Sequence, residues 1–168
     1  MEQQSNVREE PRQGEAPKLL LVEDDVIVAR LATRGLARIG YDVVHVETGR
    51  DAIARLTSET EHFAVALIDL GLPDMEGTQV VTWLRRHERE HGAKAHTTLI
   101  ISSAQKEAMS AEQQALLGVD AILPKPLSVA AFAAVMDRMK KLEARPEGES
   151  PERLRQNDDA PASPSGAP

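Results

Sequence analysis

Short apolar runs alternate along the chain with segments of helical periodicity. Continuous apolar character over a few residues is typical of strands buried on both faces of a sheet, and apolar positions three and four apart are typical of helices. The predicted strands are Lys18–Val22, Asp42–Val46, Phe63–Asp69, Thr97–Ser102 and Ala121–Pro124. The predicted helices are Asp25–Ile39, Gly49–Leu56, Thr78–His91, Lys106–Leu117 and Ser128–Leu142.

The ends of these helices carry recognisable stop and start signals. Gly40, Gly92 and Gly118 follow three of the helical segments, where glycine commonly ends a helix, and Ser128 is suited to cap the last one. Strict alternation of strand and helix implies right-handed crossovers and a parallel sheet covered on both faces. The predicted fold class is therefore α/β, a doubly wound five-stranded parallel sheet.

Polar residues stand directly after four of the apolar runs. They are Glu23 and Asp24, then Asp69, then Ser102 and Ser103, and then Lys125. Ligands of open α/β sheets bind outside the carboxyl ends of the strands. We therefore expect three acids, a hydroxyl and a lysine to meet at one edge of the sheet.

The acids have functional and structural interpretations that the residues alone leave open. Glu23 and Asp24 suit a hard divalent cation such as Mg²⁺, yet Asp24 or Asp25 could simply cap the following helix. Asp69 ends an otherwise apolar strand, so it is either a nucleophilic carboxylate that accepts a phosphoryl group or an ordinary loop acid.

The hydroxyl and the lysine are weak signals when each is taken alone. Ser103 could donate a hydrogen bond to a phosphoryl oxygen, with Ala104 leaving space beside it, but small hydroxyls are also common in turns. Lys125 lies between Pro124 and Pro126, so a short rigid loop holds it at the sheet edge, whereas most lysines are solvated surface charges. At that edge its ammonium would pair with phosphate or with Asp69.

The order of these signals is far more specific than any one of them. Glu-Asp, then Asp-x-x-x-Pro-x-x-x-Gly from Asp69 to Gly77, then Ser-Ala, then Lys-Pro resembles the receiver domain of two-component response regulators. The resemblance covers Lys18 to about Leu142, and it implies a flavodoxin-like (βα)5 fold with strand order 2-1-3-4-5.

The same resemblance implies a function and assigns roles to residues. Asp69 is expected to take a phosphoryl group from a histidine of a partner kinase or phosphotransferase. Glu23, Asp24, Asp69 and the carbonyl of Gly71 are expected to organise Mg²⁺, and Ser103 and Lys125 match the family's conserved hydroxyl and lysine. Beyond its own phosphorylation and dephosphorylation, no enzymatic activity is expected.

Signal output is expected to depart from the usual pattern of the family. The family often has Tyr or Phe three residues before the lysine, where this chain has Ile122. Switching is therefore expected to rely on the Ser103–Ala104 loop and the following helix. The resemblance also implies that Ser103–Leu117 and Ala121–Leu142 form the docking surface for partners.

Composition narrows the class of protein. Met1–Pro17 and Glu143–Pro168 are polar and proline-containing, which predicts disordered flanks around a receiver domain at residues 18–142. The net charge of −7 argues against a general nucleic-acid binder. There is no cysteine, so a disulfide framework and a thiolate metal site are excluded. With no signal peptide or membrane span in the sequence, a cytoplasmic protein is expected.

The chain after Leu142 is too short and too polar for an output domain. We therefore expect a stand-alone response regulator that acts through protein contacts, without direct DNA binding and without membrane association. A pseudo-receiver that binds partners without phosphate chemistry is the alternative, and the presence of every acceptor-site residue argues against it.

Five residues, His87-Glu88-Arg89-Glu90-His91, match the zinc motif His-Glu-x-x-His literally. They stand at the arginine-rich end of a helix and have no clear downstream ligand, although His96 is close. A solvated helix end is the preferred interpretation. His45 and His62 are interpreted as incidental.

Overall fold

The computed structural model describes residues 15–58, 61–92, 96–105 and 109–143. Its strands are β1 (Lys18–Val22), β2 (Asp42–Val46), β3 (Val65–Asp69), β4 (Thr98–Ser103) and β5 (Ala121–Pro124). Its helices are α1 (Val26–Arg38), α2 (Gly49–Leu56), α3 (Gly77–His91), α4 (Ala111–Leu117) and α5 (Val129–Glu143).

The five strands form one parallel sheet in the order β2-β1-β3-β4-β5. This arrangement confirms the predicted fold class and strand order. The order reverses between β1 and β3, which are neighbours in the sheet although β2 lies between them in the chain. Ligands of doubly wound sheets bind at such a reversal, beyond the carboxyl ends of the strands.

The central strands are apolar on both faces because helices cover both. Side chains alternate along each strand, so neighbouring residues point to opposite faces. One face contributes to a core shared with α2 and α3, whose buried members include Leu20, Val22, Ala66, Ile68, Leu99, Ile101, Val80, Val81 and Leu84. Alternation directs Leu19, Leu21, Leu67 and Ile100, which are also buried, to the other face.

Chain contacts divide the molecule into two compact units, Met1–Val135 and Met136–Pro168. The first unit contains the whole sheet, α1 to α4 and every residue of the candidate site. The described part of the second unit is the last section of α5, residues 136–143. Most of both predicted disordered flanks, residues 1–14 and 144–168, lies outside the described residues.

Helix α4 begins later than predicted. Ser110 accepts a hydrogen bond from the Gln113 N–H, and the Gln113 side chain accepts one from the Ser110 N–H. This capping box starts the helix at Ala111. The predicted start at Lys106 is therefore wrong for residues 109 and 110, and residues 106–108 lie outside the described part of the chain.

Strand β4 is shifted by one residue from its prediction. The Thr97 N–H donates to Glu88 Oε1 on α3 at 3.0 Å, so this N–H is not part of the strand pairing. Strand pairing begins at Thr98, whose N–H donates to the Ala64 carbonyl, and it extends to Ser103, which pairs with Pro124. Ser103 is therefore the last residue of the strand.

A buried arginine joins three segments at the amino end of the sheet. Arg85 on α3 is 8% exposed, and its guanidinium donates to the carbonyls of Gly118 and Thr97 at 2.7–2.9 Å. It also pairs with Glu88 at 2.8 Å and Asp120 at 2.9 Å. The guanidinium is thus satisfied on every side, and α3 is tied to the segments that enter β4 and β5.

None of the helices in the described part of the chain is both long and apolar enough to cross a membrane.

Candidate functional site

The carboxyl ends of β1, β3 and β5 bring two acids and a lysine into direct contact. Lys125 Nζ lies 2.7 Å from Asp69 Oδ2 and 2.7 Å from Glu23 Oε2. Glu23 is 3% exposed and Asp69 is 8% exposed. Charged groups that are buried to this extent need partners, and here one ammonium is shared by two carboxylates.

Asp24 completes a group of three acids. Oxygen atoms from Glu23, Asp24 and Asp69 all lie within 4.8 Å of one another. The capping alternative falls to a different residue, because Asp25 accepts hydrogen bonds from the N–H groups of Ile27 and Val28 and is the N-cap of α1. Asp24 is therefore not the cap, and the all-oxygen donor set of Glu23, Asp24 and Asp69 fits a hard divalent cation.

Asp69 is the last residue of β3, and the start of α3 presses against its backbone. The Gly71 N–H donates to Asp69 Oδ1 at 3.3 Å. Gly77, the first residue of α3, donates its N–H to the Leu70 carbonyl at 3.0 Å. A Cβ on Gly77 would overlap the carbonyl oxygen of Asp69 and lie 3.1 Å from Ile68 Cγ2. Only glycine allows this approach.

The Gly77→Ala variant is expected to lose about 2–3 kcal/mol of unfolding free energy. The added methyl meets backbone atoms, so either α3 or the end of β3 must move. Urea unfolding measures the loss. Gly71→Ala is the matched stability control in the same loop, since nothing lies within 4 Å of its added Cβ. Equal stability of the two variants would contradict the prediction.

Asp74 connects the loop after β3 to α2. Its carboxylate accepts hydrogen bonds from the N–H groups of Gly49 at 2.8 Å and Arg50 at 3.0 Å. The bond from Gly49 is the largest influence on this acid, and together these bonds lower the pKa of Asp74. Helix N-termini favour such carboxylates because their first N–H groups have no partner inside the helix. The sequence analysis did not single out this residue.

Ser103 lies on β4, the strand next to that of Asp69, and Ile122 lies on β5, one strand further out. Ser103 is buried, and its Oγ accepts a hydrogen bond from the Gln105 N–H at 3.1 Å. Its carbonyl accepts from the Lys125 N–H at 2.8 Å, which joins the two strand ends. Ile122 is half-buried and packs against the core. The predicted signalling roles of Ser103 and Ile122, and the predicted Mg²⁺ ligation by the Gly71 carbonyl, stay predictions.

Burial and the neighbouring carboxylates shift the pKa of Lys125 in opposite directions. Burial alone would lower the pKa of the ammonium, but hydrogen bonds and charge attraction from Asp69 and Glu23 outweigh it. The pKa of Lys125 is therefore raised above its ordinary value of 10.5. The contribution of these ion pairs to stability is fully present below that ordinary value and is lost as the pH rises through the folded-state pKa.

The Lys125→Met variant is expected to lose about 1–2 kcal/mol of unfolding free energy at neutral pH. This is less than for a fully buried pair, because the lysine reaches solvent. The gap between parent and variant should close as the pH rises above about 10.5. Urea unfolding at several pH values measures it. Lys18→Met, which alters a lysine 4.0 Å from Glu61, is the control. A gap that is constant with pH would contradict the assignment.

His45 is a functional candidate that the sequence analysis missed. Its Nε2 lies 2.7 Å from the main-chain carbonyl oxygen of Glu23. The interpretation of His45 as incidental did not foresee this contact with the backbone of the acidic pair. No local signal marked it, since the contact joins different strands.

The His-Glu-x-x-His motif belongs to the exposed end of α3. The His91 Nδ1 donates to the His87 carbonyl at 3.0 Å, and the two rings lie 4.0 Å apart. Among the described residues, the acids Glu23, Asp24 and Asp69 form the group of three or more side chains placed to hold a metal. The motif is not part of that group, and its Glu88 is bonded to Arg85 and to the Thr97 N–H instead.

Comparison with known proteins identifies the class of protein to which this fold and site belong. A sequence model of the response regulator receiver domain matches residues 19–137, and the chain belongs to that family. It is a receiver domain of two-component signalling.

The relatives include both kinases and isolated receiver domains. The chain is 34% identical to the sensor histidine kinase GacS of Pseudomonas protegens over 148 residues, which are 86% of this chain and 15% of that kinase. The solved CheY-like receiver domain from Methylobacillus flagellatus is 25% identical, with a TM-score of 0.63 over 74% of this chain and 99% of that one.

A further solved structure shares the fold and contains a metal. It is the receiver domain of a sensor histidine kinase from Pseudomonas aeruginosa, with a magnesium ion coordinated in its active site cleft. It is 24% identical, with a TM-score of 0.62, and the match covers 73% of this chain and 96% of that one.

Proposed function

We propose that this receiver domain accepts a phosphoryl group on Asp69 from a histidine of a partner kinase or phosphotransferase, in a reaction that depends on Mg²⁺. The observation that carries the proposal is the carboxylate of Asp69 at the end of β3, beside two other acids and in contact with Lys125. Membership of the receiver family supports the same assignment.

The transfer requires a nucleophile and a cation that pairs with the negative phosphoryl oxygens. A carboxylate oxygen of Asp69 attacks phosphorus, the new O–P bond forms, and the N–P bond of the phosphohistidine breaks with its electron pair left on the imidazole nitrogen. Lys125, which pairs with Asp69 before transfer, is placed to pair with a phosphoryl oxygen afterwards. The residue then carries an acyl phosphate that water can hydrolyse.

The charge of the acidic group explains why a cation is needed. Three carboxylates face one ammonium, so the group is net negative and would repel an incoming phosphoryl dianion. Glu23, Asp24 and Asp69 would hold Mg²⁺, and the carbonyl of Gly71 is proposed as a further ligand. When bound, the ion would offset the negative charge between phosphate and carboxylate.

Output is proposed to run through protein contacts, with Ile122 in place of the usual aromatic residue. We propose that the Ser103–Ala104 loop and α4 respond to phosphorylation. In support, α4 has no buried residue, and Leu116 is 86% exposed beside a groove formed with α3. A stand-alone regulator in the cytoplasm, with no enzymatic activity beyond its own phosphorylation and dephosphorylation, completes the proposal.

The proposal is tested with a small phosphodonor. The full chain is incubated with acetyl phosphate and Mg²⁺, and its intact mass is compared with samples that contain EDTA. We expect one phosphoryl adduct that requires the metal, and borohydride trapping should place it on Asp69. The same samples treated with hydroxylamine should lose the adduct, as an acyl phosphate does.

The alternative function, a pseudo-receiver that binds partners without phosphate chemistry, predicts the opposite outcome. No adduct from acetyl phosphate, and none from a panel of phosphorylated histidine kinases and phosphotransferases, would overturn the proposal. An adduct of equal size in EDTA would overturn its dependence on Mg²⁺.

A further inference from the structure

The Glu23–Asp24 segment, which follows β1, is hydrogen-bonded to the edge strand β2. The last paired residues of β1 and β2 are Val22 and Val46. One step beyond, the Glu23 N–H still donates to the Val46 carbonyl at 3.1 Å. The chain after β2 then turns into α2, whose N-cap is Thr48, so regular strand pairing stops here.

The Glu23 carbonyl is taken by a side chain of β2. His45 Nε2 lies 2.7 Å from this oxygen, which is a short hydrogen bond. A carbonyl oxygen can only accept, so Nε2 must carry the hydrogen. The N–H and the C=O of Glu23 are therefore both bonded to β2, one to its backbone and the other to its imidazole.

The bond from His45 orients the peptide between the acids, and the bond to Val46 holds the peptide before it. The Glu23 carbonyl belongs to the peptide plane that leads directly to Asp24, and a peptide plane turns as a unit. Asp24 is exposed, so packing does little to hold its carboxylate. The direction of that carboxylate thus depends on the backbone around it. The peptide before Asp24 is held by His45, and the peptide after it donates its N–H, that of Asp25, to Glu23 Oε1 at 3.3 Å. The Glu23 side chain is also held by Lys125.

We propose that His45 is a positioning residue, which sets the Glu23–Asp24 peptide so that the Asp24 carboxylate faces the other two acids. The inference rests on the proposed Mg²⁺-dependent function of this site. Residues that hold metal ligands in place affect metal affinity without touching the metal. His45 acts through its N–H donor, so another long side chain with an N–H at the same place should replace it.

The test uses three variants of the full chain. His45→Leu removes the donor, and His45→Gln retains an N–H at a similar reach. His62→Leu is the matched control, since His62 precedes β3 at the amino end of the sheet. Mg²⁺ binding is measured by titration calorimetry. We expect His45→Leu to weaken binding about three- to tenfold, as the loss of one hydrogen bond predicts, with His45→Gln and His62→Leu within about twofold of the parent.

A second measurement needs no metal and so separates this inference from the proposed function. Backbone NMR of the metal-free protein should show altered Glu23 and Asp24 amide signals in His45→Leu, and signals close to those of the parent in His45→Gln. This result would support the inference even if the parent accepted no phosphoryl group.

Two outcomes would overturn the inference. One is metal affinity and amide signals in His45→Leu that match those of the parent. The other is an equal loss in His45→Gln and His45→Leu, because a purely structural effect of replacing the ring would treat both alike.

Discussion

The Asp69→Asn variant is expected to be phosphorylated by acetyl phosphate and Mg²⁺ at a rate at least about a hundredfold below that of the parent. An amide is a far weaker nucleophile than a carboxylate, and the phosphoryl group must bond to an oxygen of this side chain. The substitution keeps the shape of a residue that is buried at the end of β3.

The expected effects on stability and metal binding separate loss of chemistry from loss of folding. The parent places two carboxylates on Lys125, with a third acid nearby. The amide removes one negative charge from this group, so urea unfolding should show little loss of stability, while Mg²⁺ affinity should fall. A variant that does not fold would show no cooperative unfolding transition in urea as well as no Mg²⁺ binding.

Asp74→Asn is the matched control for this experiment. Asp74 is an acid of the same loop, but its carboxylate caps α2 rather than facing Lys125. It should be phosphorylated at a rate close to that of the parent, as judged by intact mass over time. Phosphorylation of Asp69→Asn at the parental rate would assign the acceptor to another residue.

The Arg85→Met variant is expected to lose about 3–5 kcal/mol of unfolding free energy. Methionine fills much of the same volume but offers no donor, so the carbonyls of Gly118 and Thr97 lose the guanidinium. The carboxylates of Glu88 and Asp120 lose it as well and keep their bonds from the N–H groups of Thr97 and Leu99. Buried acceptors that lose a charged donor carry the full cost of their desolvation. Such a loss is a large part of the stability of an ordinary domain.

The neighbouring arginine provides the control. Arg86 is on the same helix and pairs with Glu90 at 2.7 Å, but its side chain is 71% exposed. Arg86→Met should change the unfolding free energy by less than about 0.5 kcal/mol, because exposed pairs contribute little. Urea unfolding of both variants decides the matter: similar losses would show that burial of the Arg85 group has no special role.

The alternation of apolar runs and helical segments was enough to predict the fold. Each strand and helix was placed within a few residues, apart from the start of α4. The strand order, which only the family resemblance implied, was also confirmed. Such patterns are local, so they can be read without knowing what a segment contacts. The order of Glu23, Asp24, Asp69 and Lys125 after the strands likewise pointed to one sheet edge.

Contacts between distant segments could not be predicted in this way. His45 on β2 bonds the Glu23 carbonyl at the end of the neighbouring strand. Asp74 accepts from the first N–H groups of a helix that precedes it in the chain. Arg85 donates to carbonyls and acids of three segments. Each of these side chains has an ordinary local context. Its role depends on which backbone groups lack a partner after the chain folds.

The sequence by itself therefore determined the sheet, its covering helices and the acids and lysine that stand beyond the strand ends, because periodicity and position along the chain carry that information. Only the tertiary structure decided that Asp25 caps α1, that Lys125 is shared by Glu23 and Asp69, and that His45 holds the peptide before Asp24. The physical reason is that hydrogen-bond partners and burial are properties of packed segments, and packing brings together residues that are far apart in the chain.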